Sequence, residues 1–205
     1  MSELPMVAII GRPNVGKSTL VNHLLGSQRV IVNATPGTTR DAVDSVLEHR
    51  GQRYLLIDTA GIRRKGRIRE KLEKVSILRA LQSIDRSHVS MILIDAVEGI
   101  TDQDLHIAGY IQERYRGCIV GINKWDAVEN DRKLTKRLLE EVRDRFRFSP
   151  FAPVITFSAL SGKRVARIIP TVREVFQQYN QRVTTGVLNR GLAEALHRHE
   201  PPVVK

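Results

Sequence analysis

What is scarce in this 205-residue sequence narrows its class before any motif is read. There is one cysteine, Cys118, inside the apolar run Cys118-Ile119-Val120-Gly121-Ile122. A single thiol closes no intrachain disulfide and builds no cysteine metal site, so Cys118 reads as a small core residue in a reducing compartment. No apolar run approaches the roughly 18 residues that a bilayer-spanning helix needs, so no membrane partner is expected. The amino terminus lacks the basic-then-apolar order of a secretory signal, which points to a cytoplasmic location. Acidic residues are outnumbered, 22 against 33 Lys and Arg, for a formal net charge of +11. Such an excess favours polyanionic partners; solubilising surface charge with no partner is the plainer alternative. Internal repeats and low-complexity tracts are missing as well.

What is present is organised around one stretch. The apolar run Met6-Val7-Ala8-Ile9-Ile10 leads into Gly11-Arg12-Pro13-Asn14-Val15-Gly16-Lys17-Ser18 and then into Thr19-Leu20-Val21-Asn22-His23-Leu24-Leu25. A buried strand, a glycine-bounded loop and a helix in that order are the context of a P-loop. Gly11 and Gly16 let the backbone turn its N–H groups inward, and the helix dipole adds positive potential. Lys17 is placed to reach the β- and γ-phosphates, and the Ser18 hydroxyl can ligate Mg²⁺. Residues Gly11 to Thr19 are therefore candidate nucleotide-binding residues.

Beyond the loop the chain alternates. Residues 27–41 carry Pro36-Gly37 and a polar cluster, and a connection of that length reads as functional. Ala42 to His49 and Arg53 to Ile57, joined by Arg50-Gly51-Gln52, suggest an antiparallel hairpin. Asp58-Thr59-Ala60-Gly61 follows, then a concentrated basic patch comprising Arg63, Arg64, Lys65, Arg67, Arg69, Lys71 and Lys74. A solvated helix face is an equally ordinary reading of that patch. Strands are predicted at His88–Ile94, Cys118–Ile122 and Pro153–Phe157. Helices are predicted after Thr101, on the Leu134, Leu138, Val142, Phe146 face, and from Ile168 to Tyr179. The expectation is an α/β fold of the P-loop NTPase type. Its six-stranded sheet would be mostly parallel, with one antiparallel edge strand and helices on both faces. A last amphipathic segment (Val187, Leu188, Leu192, Ala195, Leu196) lies beyond the point where the sheet is complete.

A P-loop alone leaves ATPases, kinases and GTPases open. Asn123-Lys124-Trp125-Asp126 discriminates among them: directly after a buried strand, it offers the Asp126 carboxylate to the N1–H and exocyclic amine of guanine, whereas adenine would leave that carboxylate unpaired. Ser158-Ala159-Leu160, after the last strand, fits a loop supporting the base from the other side. At the phosphate end, Asp58 can hold Mg²⁺ through water and the Gly61 N–H can contact the γ-phosphate. Thr39 is the expected second hydroxyl ligand of Mg²⁺, with Thr38 the nearest competitor. Loss of the γ-phosphate would release both loops. Ile62 occupies the place where many GTPases carry a water-orienting glutamine, so slow intrinsic hydrolysis is expected unless another positive group assists. Arg40, Arg63 and Arg64 are available by sequence alone.

Taken together, Gly11 to Ser18, Pro36-Gly37-Thr38-Thr39-Arg40-Asp41, Asp58 to Gly66, Gly99-Ile100-Thr101-Asp102-Gln103-Asp104 and Asn123 to Asp126 resemble the second GTPase domain of bacterial EngA/Der proteins. The resemblance covers nearly the whole chain. It implies a Ras-like G domain at residues 1–181, with a linker and the start of a KH-like domain at residues 182–205. The family comprises ribosome-assembly GTPases of the TrmE–Era–EngA class, with two tandem G domains and a KH-like domain. The implied partners are GTP and GDP, the large ribosomal subunit or its rRNA, and the other domains of a longer protein. The resemblance also implies that Asn14 helps bind a K⁺ ion supplying charge at the transition state, and it accounts for the apolar Ile62. On this reading Lys17, Thr39, Gly61 and Asn14 are the candidate catalytic residues. Ser18, Thr39 and Asp58 serve Mg²⁺, and Asn14 serves K⁺. The alternatives are a basic RNA- or ribosome-binding module with little intrinsic hydrolysis, and a P-loop kinase or ATPase, which Asn123 to Asp126 disfavours.

Overall fold

Strand β1 (Met6–Gly11) is apolar along its whole length because it runs through the middle of a sheet buried on both faces. The computed structural model describes residues 4–27, 29–31, 44–59 and 73–198. The other strands are β2 (Arg29–Ile31), β3 (Ser45–His49), β4 (Gln52–Leu56), β5 (Val89–Asp95), β6 (Gly117–Asn123) and β7 (Val154–Thr156). Their order in the sheet is β2-β3-β4-β1-β5-β6-β7. β1 pairs parallel with β4 and with β5, and β6 continues the parallel register from Val89↔Gly117 to Asp95↔Asn123. β7 closes that side, parallel to β6.

The mostly parallel, helix-covered sheet expected from the alternating pattern is present, and the hairpin stands where it was predicted. Arg50 and Gly51, with φ of 51° and 78°, make the turn between β3 and β4, and two successive positive-φ residues are what a type I′ hairpin turn demands. The short β2 is an addition to the six strands expected. It pairs antiparallel with β3 at Ile31↔Val46, so β3 lies one place in from the edge. Residues 27–41 read as a loop, yet three of them join the sheet. Ala42 and Val43, expected to open β3, lie outside the described residues.

Six helices complete the described chain: α1 (Lys17–Ser27), α2 (Glu73–Arg86), α3 (Asp102–Glu113), α4 (Arg132–Arg145), α5 (Ile168–Tyr179) and α6 (Thr185–Arg198). Side chains alternate across the strands and so build two cores. On one face Val7, Ile9, Met91, Leu93 and Ile119 pack against Leu20, Val21 and Leu24 of α1 and Ile168, Ile169 and Val172 of α5. On the other face Ala8, Ile10, Ile92, Ile94, Val120 and Ile122 meet Ile84 of α2, Ile107 and Ile111 of α3, and Leu138 and Val142 of α4. Each fully buried Ile, Leu or Val contributes about 1.5–3 kcal/mol, so these two layers hold the strand ends in place. Asp131 caps α4, accepting from the Lys133 and Leu134 N–H groups at 3.0 and 2.9 Å. On α6 the residues Val187, Leu188, Leu192 and Leu196 stand exposed.

Cys118 lies in the second core, and burial pushes its thiol pKa up to about 12. The thiolate is the reactive form. A disulfide reagent at pH 8 should therefore leave Cys118 untouched in the folded protein and label it fully in guanidinium chloride. Rapid labelling of the native protein would show that β6 opens.

Candidate functional site

The carboxyl ends of the parallel strands β1, β4, β5, β6 and β7 share one edge of the sheet, the edge where ligands bind in open α/β sheets. Every described residue assigned to nucleotide from the sequence sits there, at the last residue of β1 or β6 or in the segments that follow β1, β4, β6 and β7. Asn14 takes φ 63°, in the left-handed region, and is exposed on the loop. Gly11, with φ 150°, passes so close to β5 that a Cβ on it would lie 2.6 Å from the Leu93 carbonyl oxygen. Val15 is fully buried and plugs the loop into the core. The Leu20 N–H donates to the Gly16 carbonyl at 2.9 Å, the first turn of α1, so the loop leads directly into a helix amino terminus. Lys17 Nζ donates to the Gly11 carbonyl at 2.7 Å and also to the Arg12 carbonyl, which holds its ammonium over the loop.

Gly16 is required by a residue more than a hundred positions away. Its φ is 96°, and an added Cβ would lie 2.1 Å from Asn123 Nδ2. That amide nitrogen donates to the Val15 carbonyl at 2.8 Å, while Asn123 Oδ1 accepts from the Ala159 N–H at 2.9 Å. Asn123 is buried. Its side chain thus joins three loops: the phosphate loop, its own strand end and the loop after β7. The sequence placed Asn123 among the nucleotide-binding residues; the geometry gives it the role of a clamp beneath the site.

Lys124, at φ 58°, turns the chain out of β6, and its Nζ pairs with Asp95 Oδ2 at 2.5 Å. Burial of Asp95 favours its protonated form. The Lys124 ammonium and the Val97 and Glu98 N–H donors outweigh that, so its pKa lies below the ordinary carboxylate value. This pair at the ends of β5 and β6 was not read from the sequence, because its partners belong to different strands. Trp125 is buried and its N–H donates to the Phe157 carbonyl at 3.2 Å, which sets the turn Trp125–Ala127 that presents Asp126. The Asp126 carboxylate is exposed and takes no hydrogen bond or ion pair from the described residues. A free carboxylate on a rigid turn is what base recognition needs. Beyond β7, the Ser158 N–H donates to the Lys163 carbonyl at 3.0 Å, and Lys163 Nζ reaches Glu129 at 2.7 Å. Leu160 is exposed, and the Ala159 N–H is committed to Asn123.

Asp58 stands just past β4 with φ 53°; its N–H donates to Asp44 Oδ1 at 2.9 Å. The buried Thr59 hydroxyl shares a 2.7 Å hydrogen bond with Ser45. Ser18 and Asp58 are oxygen donors on the same sheet edge, a hard donor set of the kind Mg²⁺ takes when phosphate and water supply its remaining ligands. The residues present therefore fit the ion. Thr39, Ala60, Gly61 and Ile62, with Arg40, Arg63 and Arg64, lie outside the described residues, and so does most of the basic patch.

A phosphate loop locked through one amide to a strand end that offers a free carboxylate defines the class: this is a P-loop domain for guanine nucleotide. The family follows from its relatives. A family model described as "50S ribosome-binding GTPase" matches residues 6–124, and the chain belongs to that family. GTP hydrolysis is the activity that this membership carries. Among curated relatives, GTPase Der of Syntrophobacter fumaroxidans is 71% identical over 96% of this chain and 44% of its own length. GTPase Der of Desulforapulum autotrophicum is 52% identical over 97% of this chain and 40% of its own length. The chain thus spans less than half the length of these relatives. Among solved structures, Aquifex aeolicus Era bound to GDP·AlF4⁻ aligns with a TM-score of 0.63 at 31% identity, covering 85% of this chain and 57% of that one. Translation elongation factor SelB of Methanococcus maripaludis shares the fold, with a TM-score of 0.66 at 18% identity over 90% of this chain and 36% of its own. The resemblance to EngA/Der proteins read from the motifs agrees with these relatives.

Replacing the Asp126 carboxylate tests the base-reading geometry. Asp126→Asn should lower affinity for GTP by roughly two orders of magnitude or more and raise it for xanthosine triphosphate, because an amide donates to the carbonyl that xanthine carries in place of the amine. Competition binding with the two nucleotides measures this, and unchanged selectivity for GTP would contradict it.

Proposed function

We propose that this chain is the GTP-hydrolysing switch domain of a ribosome-assembly GTPase that acts on the large ribosomal subunit. It would be the second of two tandem G domains, with residues 182–205 opening a KH-like domain. The observation that carries the proposal is the Asn123 clamp, which makes one site of the phosphate loop and the guanine turn. The family description supports the ribosomal setting, and the Der relatives support the GTPase reading. Solved Era complexes hold GDP·AlF4⁻ in one case, and MgGDPNP with a segment of 16S ribosomal RNA in another. The net charge of +11 suits an RNA-rich partner. The exposed apolar residues of α6 suit a helix that packs on further chain.

In this reading Lys17 and the backbone N–H groups of the Gly11 to Thr19 loop, other than at Pro13, bind the phosphates, and Asp126 reads guanine. Ser18, Thr39 and Asp58 hold Mg²⁺, which neutralises charge on the phosphate oxygens when bound. Gly61 contacts the γ-phosphate. The Ile62 side chain has no polar atom with which to orient water; K⁺ would be held by Asn14, an exposed residue in the left-handed region, and would supply positive charge there. A positive group in that place is worth roughly 10³ to 10⁵ in rate when it is an arginine finger.

Turnover of Mg·GTP measured in matched potassium and sodium buffers, with nucleotide binding checked in both, tests the proposal. Potassium should accelerate hydrolysis at least about tenfold, and Asn14→Ala should abolish the difference. Equal turnover in the two salts, with GTP bound in each, would remove the cation from the account. Sedimentation with isolated large ribosomal subunits should show association with a non-hydrolysable GTP analogue and weaker association with GDP; no association in either state would remove the ribosomal setting.

A further inference from the structure

The motif Gly99-Ile100-Thr101-Asp102-Gln103-Asp104 has no role in the chemistry described so far, and Arg12 is the one long cation within the phosphate loop besides Lys17. The structure brings the two together across 92 residues. Arg12 Nε donates to Asp104 Oδ1 and Oδ2 at 3.3 and 3.1 Å, Nη1 to Glu98 Oε2 at 2.9 Å, and Nη2 to the Gly99 carbonyl at 3.1 Å. All three guanidinium nitrogens are engaged, each by a different residue. The Asp104 side chain is fully buried and that of Arg12 is 15% exposed. Asp104 Oδ2 also accepts from the Thr101 N–H at 3.0 Å and the Thr101 hydroxyl at 2.9 Å, so the same carboxylate orders the first turn of α3.

A buried carboxylate left unpaired is far costlier than a paired one, and a planar fork that meets three fixed acceptors cannot be replaced by a point charge. The Arg12 side chain is thereby immobilised on α3 and on the loop before it. Its own backbone carbonyl, with that of Gly11, accepts from Lys17 Nζ. We propose that Arg12 is a positioning residue for the phosphate site: clamped by Asp104, Glu98 and Gly99, it fixes the carbonyls that aim Lys17 at the phosphates. Its guanidinium is committed to Asp104, Glu98 and Gly99 and acts only through Lys17. Asp104 acts one step further out, through Arg12.

The inference rests on nucleotide binding at this loop, and the test separates the two. Wild type, Arg12→Ala, Arg12→Lys, Asp104→Asn and the Arg12→Ala/Asp104→Asn double variant are compared below the melting temperature of the least stable. The readouts are Kd for Mg·GDP and the ³¹P resonance of its bound β-phosphate. Arg12→Ala should weaken binding by roughly tenfold or more, the size of loss that removal of an orienting partner causes at metal sites, and shift the β-phosphate resonance. Arg12→Lys should recover only part of the affinity. Asp104→Asn should act in the same direction, and the double variant should be no worse than Arg12→Ala alone. Folded Arg12→Ala or Arg12→Lys protein with wild-type Kd and an unmoved resonance would reduce Arg12 to a stabilising contact and overturn the proposal. Additive losses in the double variant would overturn the path from Asp104 through Arg12. Wild type failing to bind GDP would instead refute the nucleotide reading, and this inference with it.

Discussion

One buried amide organises the nucleotide edge of this domain. Asn123 donates to the Val15 carbonyl and accepts from the Ala159 N–H, and Gly16 is bare because that amide occupies the space a side chain would need. Inside a protein such bonds are strong, and an unpaired buried amide costs about 1–3 kcal/mol per group, so the clamp tolerates little movement of any of its three loops. The distance between phosphate loop and base-reading turn is thus set by the protein before any ligand arrives. Preorganisation of this kind reduces the cost of ordering a site on binding.

Two buried carboxylates extend the same logic. Asp95 and Asp104 each lie at the carboxyl end of the sheet or the first turn of a helix, and each is neutralised by a cation from a ligand-facing loop: Lys124 for Asp95, Arg12 for Asp104. Both acids are buried. Both convert a mobile loop cation into a fixed strut, because neither carboxylate can be left alone in the interior. Asp44 does similar service beside Asp58, where it accepts from the Asp58 N–H and pairs with Arg86 of α2.

The strands, the helices and the two motifs that define the class were legible because each is written in contiguous residues: an apolar run, then a fixed spacing of Gly, Lys and Ser, or of Asn, Lys and Asp. The face of α4 carrying Leu138 and Val142 and the hairpin joined by Arg50-Gly51-Gln52 were readable for the same reason, though the positive φ of Arg50 and Gly51 was not. What escaped was long-range. The Asn123 to Val15 bond spans 108 residues and the Arg12 to Asp104 pair spans 92, and no local pattern encodes either. Asp104 read correctly as part of a helix start, but its second task depends on an arginine in a different loop. β2 was missed because Arg29–Ile31 is too short to show alternation and is stabilised by β3 rather than by its own propensity. Thr39 and Gly61 remain expectations of the motif, outside the described residues.

The central claim is that the loop after β6 chooses the nucleotide that the loop after β1 binds. Calorimetric titration of the folded chain with Mg·GDP and with Mg·ADP tests it most directly. The account predicts a one-to-one isotherm for GDP and no measurable binding of ADP at the same concentrations. Comparable isotherms for the two would contradict it, since the phosphate loop would then be acting without the base-reading turn.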